Sequence, residues 1–275
     1  MATALESPRS PAARFGSAWY LRTHLRLLLR VARNDLWARH AGSHLGVGWV
    51  FLGPLLILVV YAVVYLAIFR VRVEGLSSAQ YVVYIFCGLV PFLAAAESIS
   101  TGITSVIQNK AVLNNTVFPI DLAPVKCALE SQAIMFVGLA IVLVGVAVTH
   151  SLTWTITLLP FVWALNLVFL VGVNWILAPL NVIFRDLQSM VTAILMVMLV
   201  ASPIAYTPDM VPDELRLLLG LNPFAYYVVG YQQVIMLGIV PSMVHTALMV
   251  LAAVVPFVLG SWIFSRSKAV IVDYV

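Results

Sequence analysis

Long apolar segments alternate with short polar ones along most of the chain. The apolar segments cover about residues 49–69, 81–105, 127–148, 154–180, 188–206 and 244–264. Each is close to the ~20 residues that an α-helix needs to cross a ~30 Å hydrocarbon core. No stretch shows the alternation of period two that is typical of strands. The pattern predicts an all-α polytopic membrane protein with six transmembrane helices.

Arg185 and Asp186 interrupt the longest apolar run. They are the only charged residues between Trp154 and Tyr206, a run that is too long for one membrane helix and too short for three. We therefore predict a helical hairpin that turns at these two residues. The turn keeps both charges out of the membrane core, where a charged side chain is costly.

The segment before the first apolar run has an amphipathic pattern. Its arginines recur at helical spacing within an arc of roughly 80°, and leucines occupy the other sides. These arginines are Arg22, Arg26, Arg30 and Arg33. Residues 17–41 are predicted to form an amphipathic interface helix with its arginines towards anionic headgroups. A solvated helix that packs on another subunit is the alternative.

The two flanking regions are simpler to interpret. Residues 1–16 are polar and contain proline, without the apolar core of a signal peptide. They are predicted to form a disordered cytoplasmic tail. Residues 42–275 are predicted to form the transmembrane domain.

The basic residues are distributed unequally between the two predicted sides of the membrane. If the N-terminus is cytoplasmic, the outer segments hold only Arg70, Arg72 and Arg216. The inner segments then hold Arg9, Arg14, Arg22, Arg26, Arg30, Arg33, Arg39, Lys110, Lys126, Arg185, Arg266 and Lys268. Because cytoplasmic loops are enriched in Lys and Arg, we predict that both termini are cytoplasmic.

Residues 207–243 are more apolar than an ordinary loop. Residues 217–238 within them could form a seventh span, which would move the C-terminus outside. Asn222-Pro223 and Gln232-Gln233 argue against this, because proline interrupts helical hydrogen bonds and glutamine is costly against lipid. We predict instead a re-entrant or interfacial helical hairpin on the extracytoplasmic side, where irregular backbone can pack on protein.

The composition excludes a soluble protein. The 275 residues are 63% hydrophobic and 9% charged, whereas soluble domains carry about 25% charged residues.

Cys87 and Cys127 lie in or beside apolar segments. They are interpreted as small core residues rather than as a disulfide or a metal site.

The sequence motifs of common enzymatic sites are absent. The chain has no GxxxxGK[ST] phosphate loop, no GxGxxG, no HExxH and no GxSxG. We therefore predict that this chain is not an enzyme and holds no catalytic residue, cofactor or metal. Uphill transport would then draw its energy from an ion gradient or from a separate ATPase.

Two acidic residues lie inside predicted spans. Glu97 lies in a polar stretch of the second span, and Glu130 lies at the start of the third. Carboxylates within a membrane often mark ion pathways, but both residues are predicted to lie nearer the cytoplasmic side than the midplane. Glu97 either faces a water-filled path or pairs with a neighbouring helix, and both interpretations stay open.

Residues 108–126 form the longest predicted cytoplasmic connection. Leu113, Val117 and Phe118 form a small apolar group between Lys110 and Asp121. Pro119 and Pro124 also punctuate the loop. It is either a solvated turn or a short helix that inserts into a groove on a cytoplasmic partner.

Six stretches, in this order, resemble the transmembrane subunit of ABC-2-type exporters, in particular the permeases that export O-antigen, capsule or teichoic acid. They are 33–56, GLVPF at 88–92, VFPIDLAPV at 117–125, LNVIFRDLQ at 180–188, SPIAY at 202–206 and LNPFAYYVVGYQQ at 221–233. The resemblance covers about residues 30–275. It implies six spans, an N-terminal interface helix and an extracytoplasmic hairpin. It also implies a homodimer with two copies of a cytoplasmic ABC ATPase, which would bind the ATP and Mg²⁺.

The resemblance implies a coupling helix at residues 109–121 that meets the ATPase. The turn at Arg185 and Asp186 would make a secondary contact. The predicted coupling residues are Lys110, Leu113, Asn114, Asn115, Val117, Phe118, Pro119, Asp121, Arg185 and Asp186.

The mechanism expected from this resemblance is export of a lipid-linked polysaccharide from the inner leaflet along a path at the dimer interface. Aromatic faces suit sugar passage because they form few strong hydrogen bonds. The predicted path residues are Tyr61, Tyr65, Phe92 and Glu97, and the predicted outer gate is Pro223, Phe224, Tyr226, Tyr227 and Tyr231. Each aromatic ring could instead serve ordinary helix packing or the interfacial belt.

The resemblance implies a location in the bacterial inner membrane, with membrane lipids and no nucleic acid among the partners. Three alternatives remain at this point. An ABC-2 exporter could carry a drug, a lipid or another small molecule. The chain could also be an intramembrane enzyme that acts on lipid-linked sugars, or an ion-coupled carrier that uses Glu97.

Overall fold

The computed structural model describes residues 24–38, 46, 48–65, 75–108 and 119–274. Helices account for most of these residues, and no strand occurs among them. Several predictions fall outside the described residues: the tail 1–16, and the sites Arg22, Lys110, Leu113, Asn114, Asn115, Val117 and Phe118.

The helices of the described residues are numbered in chain order. They are α1 Leu25–Ala38, α2 Gly48–Val63, α3 Ser78–Gly102, α4 Ser105–Gln108, α5 Leu122–Glu130, α6 Gln132–Val148, α7 Leu159–Ile183, α8 Leu187–Ala201, α9 Asp213–Leu221, α10 Pro223–Gln232 and α11 Met243–Tyr274. Short 3₁₀ or π turns occur at Trp154–Leu158, Pro208–Met210 and Gln233–Leu237.

Four helical stretches in the described part of the chain are long and apolar enough to cross a membrane. They are Ser78–Gly102, Leu122–Val148, Trp154–Ile183 and Met243–Lys268. Two shorter apolar helices, Leu52–Val63 and Leu187–Ala201, lie where the first and fifth spans are predicted. The predicted all-α membrane class is thereby confirmed, while the number of spans stays a prediction.

Helix α3 lies at the centre of the bundle. It packs against α5, α6, α7 and α10, and its buried residues are found on most sides of the helix. A helix that is apolar all round is expected in such a buried position.

Helices α7 and α11 approach each other closely at Gly172 and Gly260. A Cβ atom on Gly172 would lie 2.3 Å from the backbone nitrogen of Phe257. A Cβ atom on Gly260 would lie 2.3 Å from the carbonyl oxygen of Gly172. Small residues allow such backbone contact between membrane helices, and α7 and α11 form the most extensive helix pair of the described residues.

Two helices extend beyond the spans predicted for them. Helix α5 begins at Leu122, so Pro124 lies in the first turn of a helix and not in a loop. Proline is tolerated there because the first N–H groups of a helix have no intrahelical partner. Helix α11 continues to Tyr274, since no proline or glycine follows Gly260 to end it.

The chain interrupts its helix at Asn222, between α9 and α10. The Asn222 side-chain oxygen accepts a hydrogen bond from the backbone N–H of Phe224 at 3.0 Å, and Pro223 occupies the first helical position. Both features favour the start of a new helix. After α10 the π turn ends at Gly238, whose φ of 66° is left-handed. Residues 217–238 therefore do not form one continuous spanning helix.

Candidate functional site

A cluster of charged residues lies at one end of the bundle, which we call the basal end and define by Asp35, Asp121, Lys126 and Lys268. Asp121 is the last residue of the predicted coupling segment and is 2% exposed. Its Oδ2 atom lies 2.8 Å from Nζ of Lys268 in α11. The indole N–H of Trp175 in α7 donates to the backbone carbonyl of Asp121 at 2.9 Å. Two other helices therefore hold this residue.

Lys126 forms a second buried contact one turn further along α5. Its Nζ donates to Oδ2 of Asp35 in α1 at 2.5 Å and lies 3.9 Å from Oε1 of Glu130. Glu130, whose role the sequence leaves open, thus lies beside a lysine of its own helix. The ion pair between Lys126 and the partly exposed Asp35 joins α5 to α1.

Asn174 in α7 is a buried neutral residue beside the basal end. Its amide donates to Oγ of Ser98 at 3.1 Å and to the carbonyl of Pro124 at 3.2 Å. The side chain therefore joins α7 to α3 and to α5. Because its buried amide nitrogen donates to both of these helices, the side chain helps to fix their relative position.

The chemistry available at the basal end is that of paired charges. No cluster of three or more His, Cys, Asp or Glu side chains that could hold a metal occurs among the described residues. Cys87 and Cys127 are both buried and unbridged. Ion pairs between helices can transmit position, which suits a mechanical role.

The turn between α7 and α8 contains Arg185 and Asp186, and both are exposed. Phe184 beside them is 65% exposed. A depression of about 740 Å³ is lined by Leu180, Ile183, Phe184, Arg185, Asp186, Leu187 and Met190. Aromatic residues and arginine are enriched at protein interfaces, and the coupling role predicted for the turn stays a prediction.

The structure brings several predicted path and gate residues together inside the chain. The rings of Phe92 and Phe224 lie 5.3 Å apart, and Phe169 contacts both Phe224 and Tyr227, at 5.6 and 5.3 Å. Phe92 is only 3% exposed. Within a single chain these rings are core residues, so a path along their faces would require rearrangement of the core.

The remaining path and gate residues do not join this cluster. Tyr61 and Tyr65 contact each other in the region of α2, with ring centroids 6.0 Å apart. Tyr231 is buried beside Asn166. Tyr226 is half-buried, and its hydroxyl donates to the carbonyl of Gly220. Pro223 begins α10, and Glu97 is partly buried in α3.

Residues 202–206 form a non-helical segment at the opposite end of the bundle. The amide of Gln232 donates to the carbonyls of Pro203 and Ile204 at 3.1 and 3.0 Å. The hydroxyl of Tyr81 donates to the carbonyl of Ala205 at 2.8 Å. These bonds satisfy backbone groups that would otherwise be costly to bury.

The sequence alone did not identify Asp35, Asn174, Trp175 or Lys268 as site residues. Asn174 had a detectable signal, since it is a polar residue within an apolar helix. Gln232 was noted only as costly against lipid, and its burial removes that cost. The partners of the other residues depend on contacts between helices and have no local signal.

Comparison with known proteins gives the family. The model of the family described as ABC-2 type transporter matches residues 27–236. The O-antigen export system permease protein RfbA of Myxococcus xanthus is 30% identical over 211 residues, which are 76% of this chain and 79% of that protein. A protein of the same name from Klebsiella pneumoniae is 27% identical over 245 residues, 88% of this chain and 92% of that protein. The chain therefore belongs to the ABC-2 type transporter family.

Proposed function

We propose that this chain is the membrane-spanning subunit of an ATP-driven exporter that moves a lipid-linked polysaccharide from the cytoplasmic side across the inner membrane. The observation that carries the proposal is its similarity, over most of both chains, to O-antigen export permeases. The absence of a phosphate loop agrees with it, because ATP and Mg²⁺ would then be bound by a separate ABC ATPase.

In this proposal two copies of the chain assemble with two ATPase subunits. Residues 109–121 contact the ATPase, and the turn at Arg185 and Asp186 makes a secondary contact. The glycan passes between the two copies. An exposed Phe184 beside the charged turn supports a protein contact there.

The proposed topology has six spans, with both termini cytoplasmic and α9–α10 in an extracytoplasmic hairpin that is re-entrant or interfacial. The ion pairs of the basal end support it. They bring α1 and the C-terminal part of α11 to the same end of the bundle, as an even number of crossings requires. Basic residues at this end include Arg26, Arg30 and Arg33 of α1, in agreement with the positive-inside rule.

Reporter fusions test this topology. Alkaline phosphatase is expected to be inactive when fused after Val275 and active when inserted after the exposed Leu218 of α9, because it folds only outside the cytoplasm. Green fluorescent protein, which matures in the cytoplasm, provides the reciprocal control at both positions. Phosphatase activity at the C-terminus would contradict the six-span topology.

Deletion and complementation test the function. Cells that lack the chain are expected to lose surface polysaccharide and to retain lipid-linked polysaccharide inside. The wild-type chain is expected to restore export and to co-purify with an ABC ATPase. The amount of ATPase that co-purifies with the Phe118→Ala variant is expected to fall about tenfold or more. A tenfold fall corresponds to a loss of ~1.4 kcal/mol from the interface. Leu217→Ala, an exposed leucine of α9, is the matched control and should bind ATPase normally.

The outcomes of this experiment are separable. If no ATPase co-purifies with the wild-type chain after mild extraction, the exporter assignment is wrong. If Phe118→Ala binds the ATPase normally, only the proposed contact through residues 109–121 is wrong, and the exporter assignment is unaffected. If the ATPase binds but surface polysaccharide is unchanged by deletion, the exporter carries a lipid, drug or other small molecule.

A further inference from the structure

Helix α5 connects the predicted coupling segment to the rest of the bundle. It begins directly after residues 109–121, and every one of its residues except Leu129 is buried. It packs against α1, α3 and α7. Because packed protein interiors are close to incompressible, displacement of a buried element must displace its neighbours. The contacts of α5 and of Asp121 therefore define where movement of the coupling segment would go.

Asp121 points into the protein rather than towards a cytoplasmic partner. Its carboxylate is paired with Lys268 at 2.8 Å, and its Oδ1 atom accepts no hydrogen bond within the described residues. This burial does not fit direct contact between the Asp121 side chain and an ATPase. Any effect of Asp121 on coupling must act through the groups that hold it.

Those groups belong to α7 and α11, which pack closely against each other. Trp175 in α7 holds the backbone carbonyl of Asp121, and Lys268 in α11 holds its carboxylate. Helices α7 and α11 are in backbone contact at Gly172 and Gly260. The indole of Trp175 also packs on Phe257 of α11, with ring centroids 5.2 Å apart. A displacement at Asp121 thus reaches both helices at once.

We propose that Asp121, Lys268 and Trp175 are positioning residues that transmit displacement of residues 109–121 to the α7–α11 pair. The ion pair of Lys126 with Asp35 transmits the same displacement to α1. This inference rests on the proposed function and deepens it: the last helix of the chain, through Lys268, is a required part of the coupling between ATP hydrolysis and export.

The buried pair is well suited to this task. A partly buried ion pair is little screened by salt, and loss of one partner leaves the other charge desolvated and uncompensated. Arg266, two residues before Lys268, differs from it in burial and in the kind of contact that it makes. It is exposed, and its guanidinium lies over the ring of Trp262, 4.6 Å from the ring centroid. It provides a matched control for loss of a cation from the same helix.

The experiment uses the complete exporter, with the chain and its ATPase purified together and export measured in cells. Lys268→Met is expected to leave ATPase binding and ATP hydrolysis within about twofold of wild type and to lower export about tenfold, within the range known for coupling residues. Lys268→Arg, which keeps the cation, is expected to export within about twofold of wild type. Arg266→Met is expected to match wild type in all three measurements.

Two results for Lys268→Met would overturn the inference. One is export within about twofold of wild type. The other is an equal fall in hydrolysis and export, which indicates a structural role only. If this variant does not accumulate in membranes, the double variant Asp121→Lys with Lys268→Glu, which exchanges the two charges, is tested in its place. Hydrolysis with export supports the inference, while hydrolysis without export, or failure to accumulate, overturns it. Failure of the proposed function is distinct, because the wild-type chain would then bring no ATPase with it.

Discussion

Gly260→Ala is expected to prevent α11 from packing on α7 and to reduce the amount of folded chain in the membrane severely. The added Cβ would lie 2.3 Å from the carbonyl oxygen of Gly172 and 3.0 Å from Cβ of Trp175. Neither atom can move away by a change of rotamer. Overpacking costs about 1–3 kcal/mol and sometimes more. Because the obstacle is backbone, we expect a loss of about 3 kcal/mol, or roughly 10 °C in Tm.

The measurement is the thermal denaturation of the purified chain in detergent, together with its abundance in membranes. Gly53→Ala is the matched control, since no atom lies within 4 Å of a Cβ at that position in α2. It should leave the chain unchanged or stabilise it by up to about 1 kcal/mol, because alanine is the better helix former. If the Gly260→Ala chain has the same Tm as wild type, the two helices can move apart without loss of stability, and the prediction is wrong.

Gln232→Glu is expected to be as damaging, although it changes only an amide into a carboxylate of the same shape. Gln232 is 1% exposed, and its amide donates to the carbonyls of Pro203 and Ile204. A carboxylate cannot donate while ionised, so it would face two carbonyl oxygens as a buried charge. An uncompensated buried charge costs about 3–5 kcal/mol. The segment 202–206 would lose its anchor to α10.

Gln80→Glu applies the same chemical change at the start of α3. The Gln80 amide also donates to Oγ of Ser151 at 3.1 Å, and this hydroxyl can donate to a carboxylate instead. Gln80 is the third residue of α3, and its side-chain oxygen accepts a hydrogen bond from the backbone N–H of Ser77 at 2.9 Å. Glutamate preserves this capping box and interacts favourably with the helix N-terminus. We expect its stability to remain within about 1 kcal/mol of wild type. Similar melting of the two variants would contradict the anchoring role of Gln232.

The existence and order of the helices were predictable from the chain alone. An apolar run long enough for a membrane, and a break such as Arg185-Asp186 or Asn222-Pro223, are local properties. The structure places helix ends at both breaks. Helix boundaries were less predictable, since Pro124 can either end a segment or occupy a first turn, and its neighbours do not distinguish the two.

The positions of side chains within the bundle were not predictable in the same way. An aromatic residue in an apolar helix has the same local pattern whether it lines a path or packs in a core. The structure puts Phe92 and Phe224 into one aromatic cluster, whereas Tyr61 and Tyr65 contact each other elsewhere. Asp121 was predicted to be a coupling residue from the family resemblance, and its burial emerged only from the packing around α5.

The sequence by itself established that the chain is an all-α membrane protein, the order of its apolar helices and the absence of a phosphate-loop motif. These properties depend on composition and on the lengths of the apolar runs, which are local features of the chain. The tertiary structure selected the partners of the buried charges: Lys126 pairs with Asp35, 91 positions away, and Asp121 pairs with Lys268 of the last helix. That choice follows from which helices pack together, and glycines at a helix contact determine how closely they approach.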